Sequence, residues 1–498
     1  MSAVASNLVG SRRSRSLEAL AGLSATAWAY LLLGRGGYWR AQPILAPASS
    51  PDPGATVGSC DTAMGSCDTA MGSCDTAVGS CDTAVSSYNP VVVAIVPARN
   101  EAELLPGTLS LLARQGLCGL VGIVVVDDAS TDKTATVAET TDTGAIPVFV
   151  VRSAPLPDGW TGKVWALEQG RRAALARWGT GASEQRPGAD EQRATADRQC
   201  PGADDQPPGS LWLWLVDADI AIGDGVLERL LVEARKGDRD LVSVMAKLRV
   251  EHPAERLLVP AFVYFFQLLY PFRWVGRARS RTAAAAGGCV LVRSEALERL
   301  GGFGTIAGQR IDDVALARAI RRDGRAGGPR PGRLWLGFDD GVESRRPYDG
   351  LRPLWDMVAR NAFTQLGESW ALLAVTVAGL GLTFVAPPVL ASARCIAPLR
   401  AAWPGGRGRR RGALVGEPAG WVLAGPSRTV WATAAATSAA AVLSYLPTVR
   451  RCGLPRRWAL TLPLASILYA GMTVDSARRS RAGLSWRGRR LGGGRPPR

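Results

Sequence analysis

The sequence predicts an α/β domain with a Rossmann-like, mostly parallel sheet, preceded by an N-terminal anchor and followed by C-terminal transmembrane helices. Two observations carry this prediction. Between residues 90 and 345, short apolar and β-branched runs alternate with helical patterns, which is typical of a sheet covered by helices on both faces. After residue 345, long stretches without a charged side chain are flanked by arginines, as expected for helices that cross a bilayer.

The length and the charge narrow the classes of protein. A chain of 498 residues indicates two or three structural units. The formal net charge is +16, and it is concentrated in residues 393–498, which contain 19 Arg, no Lys and two acidic residues. A nucleic-acid-binding domain would carry a basic face on its folded body. We therefore expect a membrane partner and no nucleic acid.

Residues 1–34 form the first predicted segment. Three arginines precede an uncharged stretch from residue 19 to residue 34, which fits a short membrane anchor and equally the apolar part of a signal peptide. Residues 35–89 are a low-complexity linker with four GSCDTA(M/V) repeats. The cysteines in these repeats are seven residues apart with no histidine nearby, which argues against a metal site.

The catalytic domain is predicted at residues 90–345, with a polar, disordered insert at residues 179–210. The segment GGCVLVRSEAL predicts a strand followed by a helix, in addition to the strands of five apolar runs. The aromatic stretch of residues 257–274 is either core, which we favour, or a surface in the membrane interface. Five apolar runs predict strands: VVVAIV (91–96), VGIVVV (121–126), PVFVV (147–151), LWLWLV (211–216) and LVSVMA (241–246).

Polar residues follow the ends of these strands, where open α/β sheets bind ligands. Asp127 and Asp128 close the second strand. A carboxylate at this place can accept the imide N–H of a uracil ring. The structural alternative is a strand-to-helix turn in which Ser130 or Thr131 caps the next helix.

Asp217 and Asp219 follow the most apolar strand in the run LWLVDADI. In extended geometry the two side chains point the same way, with Ala218 opposite. Two carboxylates on one face can hold a hard divalent ion that also bridges phosphate oxygens. Alternatively, Asp219 caps a helix.

Two further sites come from helix starts. Lys163 in GWTGKVWAL follows two glycines, and it is either solvated or close to a diphosphate. The spacing is not that of a Walker A motif. Asp312 and Asp313 begin an amphipathic helix, where the helix dipole favours acids. The functional alternative is a general base for an acceptor hydroxyl.

The ordered set PARNEAE, VVVDDASTDKT, GWTGK, VDAD, GGCVLV, RSEALERLGGF and IDD resembles the family 2 inverting glycosyltransferases, which have the glycosyltransferase A fold. The resemblance spans about residues 90–344. The details PLPDGWTGKVWAL, RIDDVALARAI, ARNAFTQL and GLSWRGRR look most like the hopene-associated branch, whose members are membrane-bound enzymes linked to hopanoid lipid synthesis.

The resemblance implies roles for individual residues. Asp217 and Asp219 would match the DxD motif that binds Mg²⁺ or Mn²⁺. Asp313 would match the general base of the usual Glu-Asp pair. Asp312 stands in place of the Glu, which leaves open which of the two carboxylates acts as the base. The nucleotide pocket would be lined by Pro97, Arg99, Asn100 and Glu101. Asp128, with Asp127 beside it, would contact the nucleobase.

The resemblance also implies a substrate class and a location. The signature of processive members is absent, and ARNAFTQL stands in its place, so we expect transfer of a single sugar from a nucleotide-sugar donor to a lipid acceptor, with a hopanoid as the candidate. We expect a multi-pass protein of the cell's inner (cytoplasmic) membrane whose catalytic domain and arginine-rich tail face the cytosol. The rival classes are a nucleotidyltransferase and a catalytically silent membrane scaffold.

The predicted membrane region, residues 346–498, contains three uncharged stretches: 369–393, 429–449 and 458–474. A cytosolic domain and a cytosolic tail require an even number of crossings between them. One stretch should therefore be re-entrant or not a span, and we expect this of the Pro387–Pro388 segment or of the Ala-rich second stretch.

Overall fold

The computed structural model describes residues 2–40, 42–46, 90–115, 119–179, 211–324, 332–401, 427–482, 485–486 and 489–490. The predicted GSCDTA repeats, nearly all of the predicted insert and most of the C-terminal tail lie outside these ranges.

A mixed sheet of eight strands forms the centre of the described part of the chain, in the order β3-β2-β1-β4-β7-β6-β8-β5. A separate short pair consists of β9 (Ser485–Trp486) and β10 (Arg489–Arg490). The eight strands are β1 (Val91–Ala98), β2 (Leu120–Asp127), β3 (Val148–Arg152), β4 (Leu211–Val216), β5 (Ile220–Ile222), β6 (Leu241–Lys247), β7 (Cys289–Arg293) and β8 (Leu334–Ser344).

The predicted α/β fold with a mostly parallel sheet is confirmed. The strands β3, β2, β1 and β4 are mutually parallel, and so are β6 and β8. The strand β7 runs antiparallel to both neighbours, and β5 runs antiparallel to β8. All five strands predicted from apolar runs are present, as is the strand predicted in GGCVLV.

Helices connect the strands and form a second region after the sheet. Single π-helical turns at Tyr30–Gly34 and Gly381–Val385 extend two of them. The α-helices of the described residues are α1 (Ser2–Ala29), α2 (Leu105–Ala113), α3 (Thr134–Thr140), α4 (Gly162–Trp178), α5 (Val226–Lys236), α6 (Pro253–Leu269), α7 (Phe272–Val275), α8 (Ser294–Arg299), α9 (Asp312–Asp323), α10 (Leu351–Gln365), α11 (Trp370–Leu380), α12 (Ala386–Ala401), α13 (Arg428–Arg451) and α14 (Leu462–Ala482).

The continuous apolar strands are explained by two cores, one on each face of the sheet. Val93 and Ile95 of β1 pack on one face with α4 and α9, whereas Val92 and Ala94 pack on the other with α2 and α5. Successive side chains of a strand point to opposite faces. Most residues of a doubly covered strand are therefore apolar, as in the predicted runs; the polar exception, Ser243 of β6, is buried and hydrogen-bonded to the Ala286 backbone.

The carboxyl ends of the central strands meet at one edge of the sheet. Ala98 pairs with Asp127 across β1 and β2, and Ile95 pairs with Leu215 across β1 and β4. The antiparallel β7 begins at the same edge, where Cys289 pairs with Val216. The segments that follow β1, β2 and β4 and the one that precedes β7 are thus neighbours in space.

A third core joins the N-terminal helix, α6 and the C-terminal helices. The Trp28 indole N–H donates to the Thr383 carbonyl at 2.9 Å. The Tyr264 hydroxyl is hydrogen-bonded to the Tyr38 hydroxyl at 2.9 Å and to Ser444 Oγ at 2.8 Å. Leu258, Val259, Ala261 and Tyr264 are buried, so the favoured core interpretation of the stretch 257–274 holds for this face of α6.

Four helices of the described residues are long and apolar enough to cross a membrane, by length and composition only. The stretch 458–474 is not among them. It is divided between a 3₁₀ helix (Arg456–Thr461) and α14. The Pro387–Pro388 segment lies in one continuous helix from Trp370 to Ala401, and both stretches that we expected to be re-entrant or not a span are among the four candidates. The four candidates are Arg15–Gly34, Pro253–Val275, Trp370–Ala393 and Arg428–Arg451.

Candidate active site

An ion-pair cluster lies at the carboxyl end of β4. Lys163, in the first turn of α4, has its Nζ 2.7 Å from Asp217 Oδ1 and 3.5 Å from Asp312 Oδ2. The three side chains are far apart in sequence, and each lies at a strand end or helix start that faces this edge of the sheet. Two carboxylates and one ammonium leave the cluster with a net negative charge.

Asp313 lies beside this cluster at the start of α9. Its Oδ2 accepts the Gly287 N–H at 2.9 Å and its Oδ1 accepts the Val314 N–H at 2.7 Å. Burial and the charge of Asp312 raise the pKa of Asp313 to about 7, although Lys163 and the two backbone donors act in the opposite direction. A carboxyl group with a pKa near neutrality can accept and release a proton at physiological pH.

Burial and charge have opposite effects on the pKa values of Lys163 and Asp217, which form the closest ion pair of the cluster. Burial lowers the pKa of Lys163, but the charges of Asp217 and Asp312 outweigh it, so the pKa is raised overall. Burial raises the pKa of Asp217 despite the opposing charge of Lys163. Lys163 is therefore a fixed positive charge at this edge of the sheet.

A second cluster joins Asp219 to two residues from distant parts of the chain. Asp219 Oδ2 accepts a hydrogen bond from Arg346 Nε at 3.0 Å and one from Ser344 Oγ at 3.0 Å. The same guanidinium donates through Nη2 to Glu101 Oε1 at 2.7 Å. Burial lowers the pKa of Arg346, but Asp219 and Glu101 outweigh it and raise the pKa overall.

The loop that carries Arg346 is fixed at both ends. The Arg345 N–H donates to the Asp219 carbonyl at 2.9 Å. At the other end, the Tyr348 N–H donates to Glu255 Oε1 at 2.9 Å. Glu255 is fully buried and also accepts the His252 N–H, while His252 Nδ1 caps α6 by accepting the Ala254 N–H. The only histidine thus has a local structural role.

The turn after β2 holds the third group of predicted residues. Arg99 Nη1 lies 2.9 Å from the Asp128 carbonyl oxygen and 3.4 Å from Asp128 Oδ2. Asp127 Oδ1 accepts the Ser130 N–H at 3.2 Å. Both aspartates are buried. A buried carboxylate at a strand end, already paired with an arginine, has its position fixed before any ligand binds.

The turns after β1 and β2 are joined to each other. Asn100 has a φ of 53°, and its Oδ1 accepts the Thr131 N–H at 2.8 Å. Ser130 Oγ accepts the Asn100 N–H at 3.0 Å. The expectation that Ser130 or Thr131 caps the next helix is wrong, because Ser130 and Thr131 bond to Asn100 instead.

The arrangement of Asp217 and Asp219 also differs from the expected extended geometry. Residues 217–219 form a turn in which the Ile220 N–H donates to the Asp217 carbonyl at 3.1 Å. Asp217 consequently contacts Lys163, whereas Asp219 contacts Arg346. The two carboxylates remain close enough for the charge of Asp219 to raise the pKa of Asp217.

The donor chemistry of this pair fits a divalent cation. Carboxylate oxygens are the ligands that Mg²⁺ and Mn²⁺ prefer. The ion-pair contacts of the two carboxylates are made by Asp217 Oδ1, with Lys163, and by Asp219 Oδ2, with Arg346. Within the described ranges, no group of three or more His, Cys, Asp or Glu residues is arranged to hold a metal ion. Further ligands would have to come from the substrate or from water.

A narrow crevice connects several of these residues. Its walls include Pro97 from β1, Asp217 from the end of β4, Gly287 from the segment before β7, and Lys163. Asp312 and Asp313 close it on the side of α9. A Cβ atom at Gly287 would lie 3.4 Å from both Asp313 Oδ2 and Lys163 Nζ, so the glycine keeps the crevice open between the proposed base and the ammonium.

The sequence analysis missed Arg346, Ser344 and Gly287. Ser344 and Arg346 follow the end of β8, as the predicted aspartates follow β2 and β4, so the same rule could have found them. The strand was overlooked because LWLGFDDGVES contains three acidic residues and two glycines and does not resemble a buried run.

Comparisons with known proteins support the α/β fold. The family model described as "Glycosyltransferase like family 2" matches residues 90–327, a little under half of the chain and nearly the whole of the predicted catalytic domain. This match supports a glycosyltransferase. A search of the curated proteins found no match.

Solved structures with a similar fold include a mannosyltransferase from Pyrobaculum calidifontis in complex with GDP-Man and Mn²⁺, with 18% identity, a TM-score of 0.41, and coverage of 91% of this chain and 99% of the other. Glucosyl-3-phosphoglycerate synthase from Mycobacterium tuberculosis has 18% identity, a TM-score of 0.29, and coverage of 60% and 86%. Mannosyl-3-phosphoglycerate synthase from Rubrobacter xylanophilus has 19% identity, a TM-score of 0.29, and coverage of 56% and 76%.

Proposed function

We propose that the protein is a membrane-anchored, inverting glycosyltransferase that moves one sugar from a nucleotide-diphosphate donor to a hydroxyl group of a membrane lipid. The observation that carries the proposal is the gathering of Asp128, Asp217, Asp219 and Asp313 along one edge of the sheet, next to Lys163. Each part of the substrates needs one of these groups. The nucleobase needs an acceptor for its N–H, the diphosphate needs a positive charge or the ligands of a cation, and the acceptor hydroxyl needs a general base.

In this proposal Asp313 is the general base. The acceptor oxygen forms a bond to the anomeric carbon, while the bond from that carbon to the diphosphate oxygen breaks and its electron pair leaves with the diphosphate. The proton of the acceptor hydroxyl goes to Asp313 Oδ1 or Oδ2. Attack opposite the leaving group inverts the anomeric carbon, and no covalent intermediate on the enzyme is needed.

The remaining side chains bind and orient the donor. Lys163 places an ammonium beside the departing diphosphate, where it offsets negative charge. Arg99 holds Asp128 in position for the nucleotide base. A bound Mg²⁺ or Mn²⁺ on Asp217 and Asp219 would supply further charge stabilisation for the diphosphate.

The lipid acceptor is supported by the helices beside the site. Large apolar side chains are exposed on the candidate spans, which suits contact with lipid rather than water; they include Leu23, Leu33, Leu372, Val375, Val389 and Leu443. The resemblance to the hopene-associated branch makes a hopanoid the acceptor of this proposal.

The proposed membrane arrangement places the protein in the cytoplasmic membrane with the catalytic domain in the cytosol. If α1, the helix Trp370–Ala393 and α13 are the crossings, two of them follow the catalytic domain. The domain and the arginine-rich tail then lie on the same side, as the excess of arginine near the C-terminus requires. The helix α6 is the most buried of the four candidates, and we assign it to the core.

The proposal is tested with a panel of radiolabelled nucleotide sugars, membrane extracts as acceptors, and extraction of the product into organic solvent. We expect one donor to label a lipid. Asp313→Asn should lower kcat by roughly 10²- to 10⁴-fold, the usual contribution of a general base, while the variant still binds UDP. Near-normal turnover by Asp313→Asn would reject its role as the base.

UDP binding, measured with and without Mn²⁺, is combined with turnover assays of nucleoside triphosphates and nucleotide sugars to separate the rival classes. A nucleotidyltransferase would turn over a nucleoside triphosphate and release pyrophosphate, and a silent scaffold would turn over neither donor. Detection of pyrophosphate from a triphosphate, with no sugar transfer from any nucleotide sugar, would replace the proposed function by the first rival.

A further inference from the structure

Arg346 bridges two buried carboxylates at the predicted metal site. The side chains of Asp219 and Glu101 are 12% and 10% exposed, whereas that of Arg346 is 30% exposed. One guanidinium thus pairs with both acids, through Nε to Asp219 and through Nη2 to Glu101. A forked pair of hydrogen bonds to carboxylates is among the stronger polar contacts in proteins.

A divalent cation on Asp219 would meet this guanidinium at close range. Arg346 Nε and Ser344 Oγ both donate to Asp219 Oδ2, so a cation bound to the same carboxylate lies within a few ångströms of the arginine. Two charges of like sign at such a distance repel each other, and more strongly near a protein surface than in bulk water. A divalent ion doubles this repulsion, so the two cations compete for one carboxylate.

The backbone around Arg346 is fixed, which confines any exchange to its side chain. The Arg345 N–H is bonded to the Asp219 carbonyl, and the Tyr348 N–H is bonded to Glu255. The long side chain of arginine can turn about its own torsions while these contacts stay in place. Displaced from Asp219, the guanidinium remains beside the diphosphate of a donor held by the same metal.

We propose that Arg346 is a resident counter-ion of Asp219 and Glu101, which a divalent cation displaces and which then binds the diphosphate of the nucleotide sugar. This inference rests on the proposed function, because it requires a metal and a diphosphate at this edge of the sheet. It assigns Arg346 two positions: on the carboxylates when the site is free, and on the donor when the metal is bound.

The first test uses Arg346→Gln in the full-length, detergent-solubilised protein. Without nucleotide, the Kd for Mn²⁺, measured from the electron paramagnetic resonance signal of the free ion, should fall about tenfold, because a competing cation is gone. With saturating Mn²⁺, the Kd for UDP should rise about tenfold, because a charge-assisted contact to the diphosphate is lost.

Arg345→Gln is the matched control. It removes the same charge from the neighbouring position of the loop, and its side chain is exposed and directed toward Gly107 rather than Asp219. We expect both Kd values to stay within about twofold of wild type, because an exposed charge is screened by solvent. Equal changes in the two variants would reduce the effect to general electrostatics and overturn the proposal.

The second test uses the unmodified protein, so it does not depend on how well a variant folds. Arginines are labelled with p-hydroxyphenylglyoxal, and the modification of Arg346 and Arg345 is followed by peptide mass spectrometry. Arg346 should react slowly in the free protein, several-fold faster with Mn²⁺ alone, and slowly again with Mn²⁺ and UDP. Arg345 should react at one rate throughout.

The outcomes distinguish this inference from the proposed function. If wild type binds UDP with Mn²⁺ but the labelling of Arg346 is the same in all three states, the counter-ion role is wrong and the proposed function stands. If wild type binds neither Mn²⁺ nor UDP, the proposed function fails and this inference fails with it.

Discussion

Asp313 is the residue in which burial and charge have the clearest chemical consequence. Its pKa is raised to about 7 by burial and by Asp312, so a large share of the carboxyl is protonated at neutral pH. A general base acts only when deprotonated. The activity of the proposed enzyme should therefore depend on pH in the physiological range.

We expect kcat/KM to rise with pH and to level off above about pH 7. Because the deprotonated fraction falls about tenfold per pH unit below the pKa, the value at pH 6 should be roughly one tenth of the plateau. The measurement is a profile of kcat/KM from pH 5.5 to 8.5 at constant ionic strength. A flat profile over this range would show that Asp313 does not titrate there or is not the base.

Lys163 tunes this titration, which gives a second prediction at the same site. The ammonium lowers the pKa of Asp313, so Lys163→Gln should raise it further and move the acidic limb of the profile to higher pH. Lys163→Arg keeps the charge and should leave the limb near its wild-type position. The midpoint of the limb is the readout, since weaker donor binding would lower the whole curve without moving it. A shift to lower pH in Lys163→Gln would contradict the prediction.

Sequence patterns located most of these residues but not their partners. Asp217, Asp312 and Lys163 were expected at the ligand edge from a strand end, a helix start and a glycine turn, respectively. That Lys163 pairs with both aspartates, and that Arg346 reaches Asp219, depends on the directions of side chains from segments more than 50 residues apart. Local patterns contain no such information, because strand ends determine where the backbone lies and not how side chains turn.

Among the elements, α4 has the closest packing against the sheet. Gly170 lies in the middle of this helix, and a Cβ atom there would come within 2.4 Å of Ile95 Cγ2 on β1 and within 3.2 Å of Val126 Cγ2 on β2. Both valine and isoleucine are fully buried. The glycine allows α4 to approach the two strands whose ends carry the site, and it positions Lys163 in the first turn.

Gly170→Ala should destabilise the domain, although alanine is the better helix former. Overpacking of a core typically costs about 1–3 kcal/mol, or roughly 2–4 °C in Tm per kcal/mol for a domain of this size. Thermal unfolding of the solubilised protein gives the shift. Gly22→Ala in α1 is the control, since a Cβ atom there meets no atom within 4 Å, and it should not lower Tm.

A double substitution tests the cause of this effect. Ile95→Ala removes the clashing Cγ2 but leaves a cavity. If the clash is the origin, Gly170→Ala in that background should cost less than in wild type, so the two changes are less than additive. Strict additivity would indicate that Gly170 acts through backbone conformation rather than through its contact with β1.

The elements themselves were predictable where the pattern was strong. The five apolar runs became β1, β2, β3, β4 and β6, because strands covered on both faces have few polar positions, and the half-buried edge strand β3 carries an apolar run as well. The strands β5 and β8 were missed, since β5 has three residues and β8 is interrupted by Asp339, Asp340 and Gly341. Asp339 is buried because Arg229 of α5 pairs with it at 2.7 Å, a long-range compensation that no local pattern reveals.

In the molecule as a whole, the least predictable feature was how the helices assemble. Composition marked the apolar stretches, but it could not show that α6 forms a shared core with α1, α13 and α14, or that the Pro387–Pro388 segment is helical throughout. A proline inside a helix lacks the N–H group that would donate to the carbonyl four residues earlier. A π-helical turn, Gly381–Val385, directly precedes these two prolines in the continuous helix.

The same shared core bears on whether the N-terminal segment is an anchor or a removable signal peptide. Trp28 is 2% exposed, packs edge-on against Phe384 with ring centroids 5.6 Å apart, and donates to the Thr383 carbonyl. Tyr38 is also buried, against Tyr264. Removal of residues 1–34 would expose this apolar surface, so we propose that the segment is retained as an anchor.

Trp28 and Tyr30 provide a matched pair for the last prediction. Both are aromatic residues at the end of the same helix, but Tyr30 is 54% exposed whereas Trp28 is buried. Trp28→Ala should destabilise the protein by about 3–5 kcal/mol, the usual cost of removing a buried aromatic side chain, and Tyr30→Ala should change Tm little. The intact mass of the membrane-extracted protein should include the N-terminal segment. A mature chain that starts after residue 34, with equal Tm values for the two variants, would establish a cleaved signal and remove α1 from the membrane arrangement.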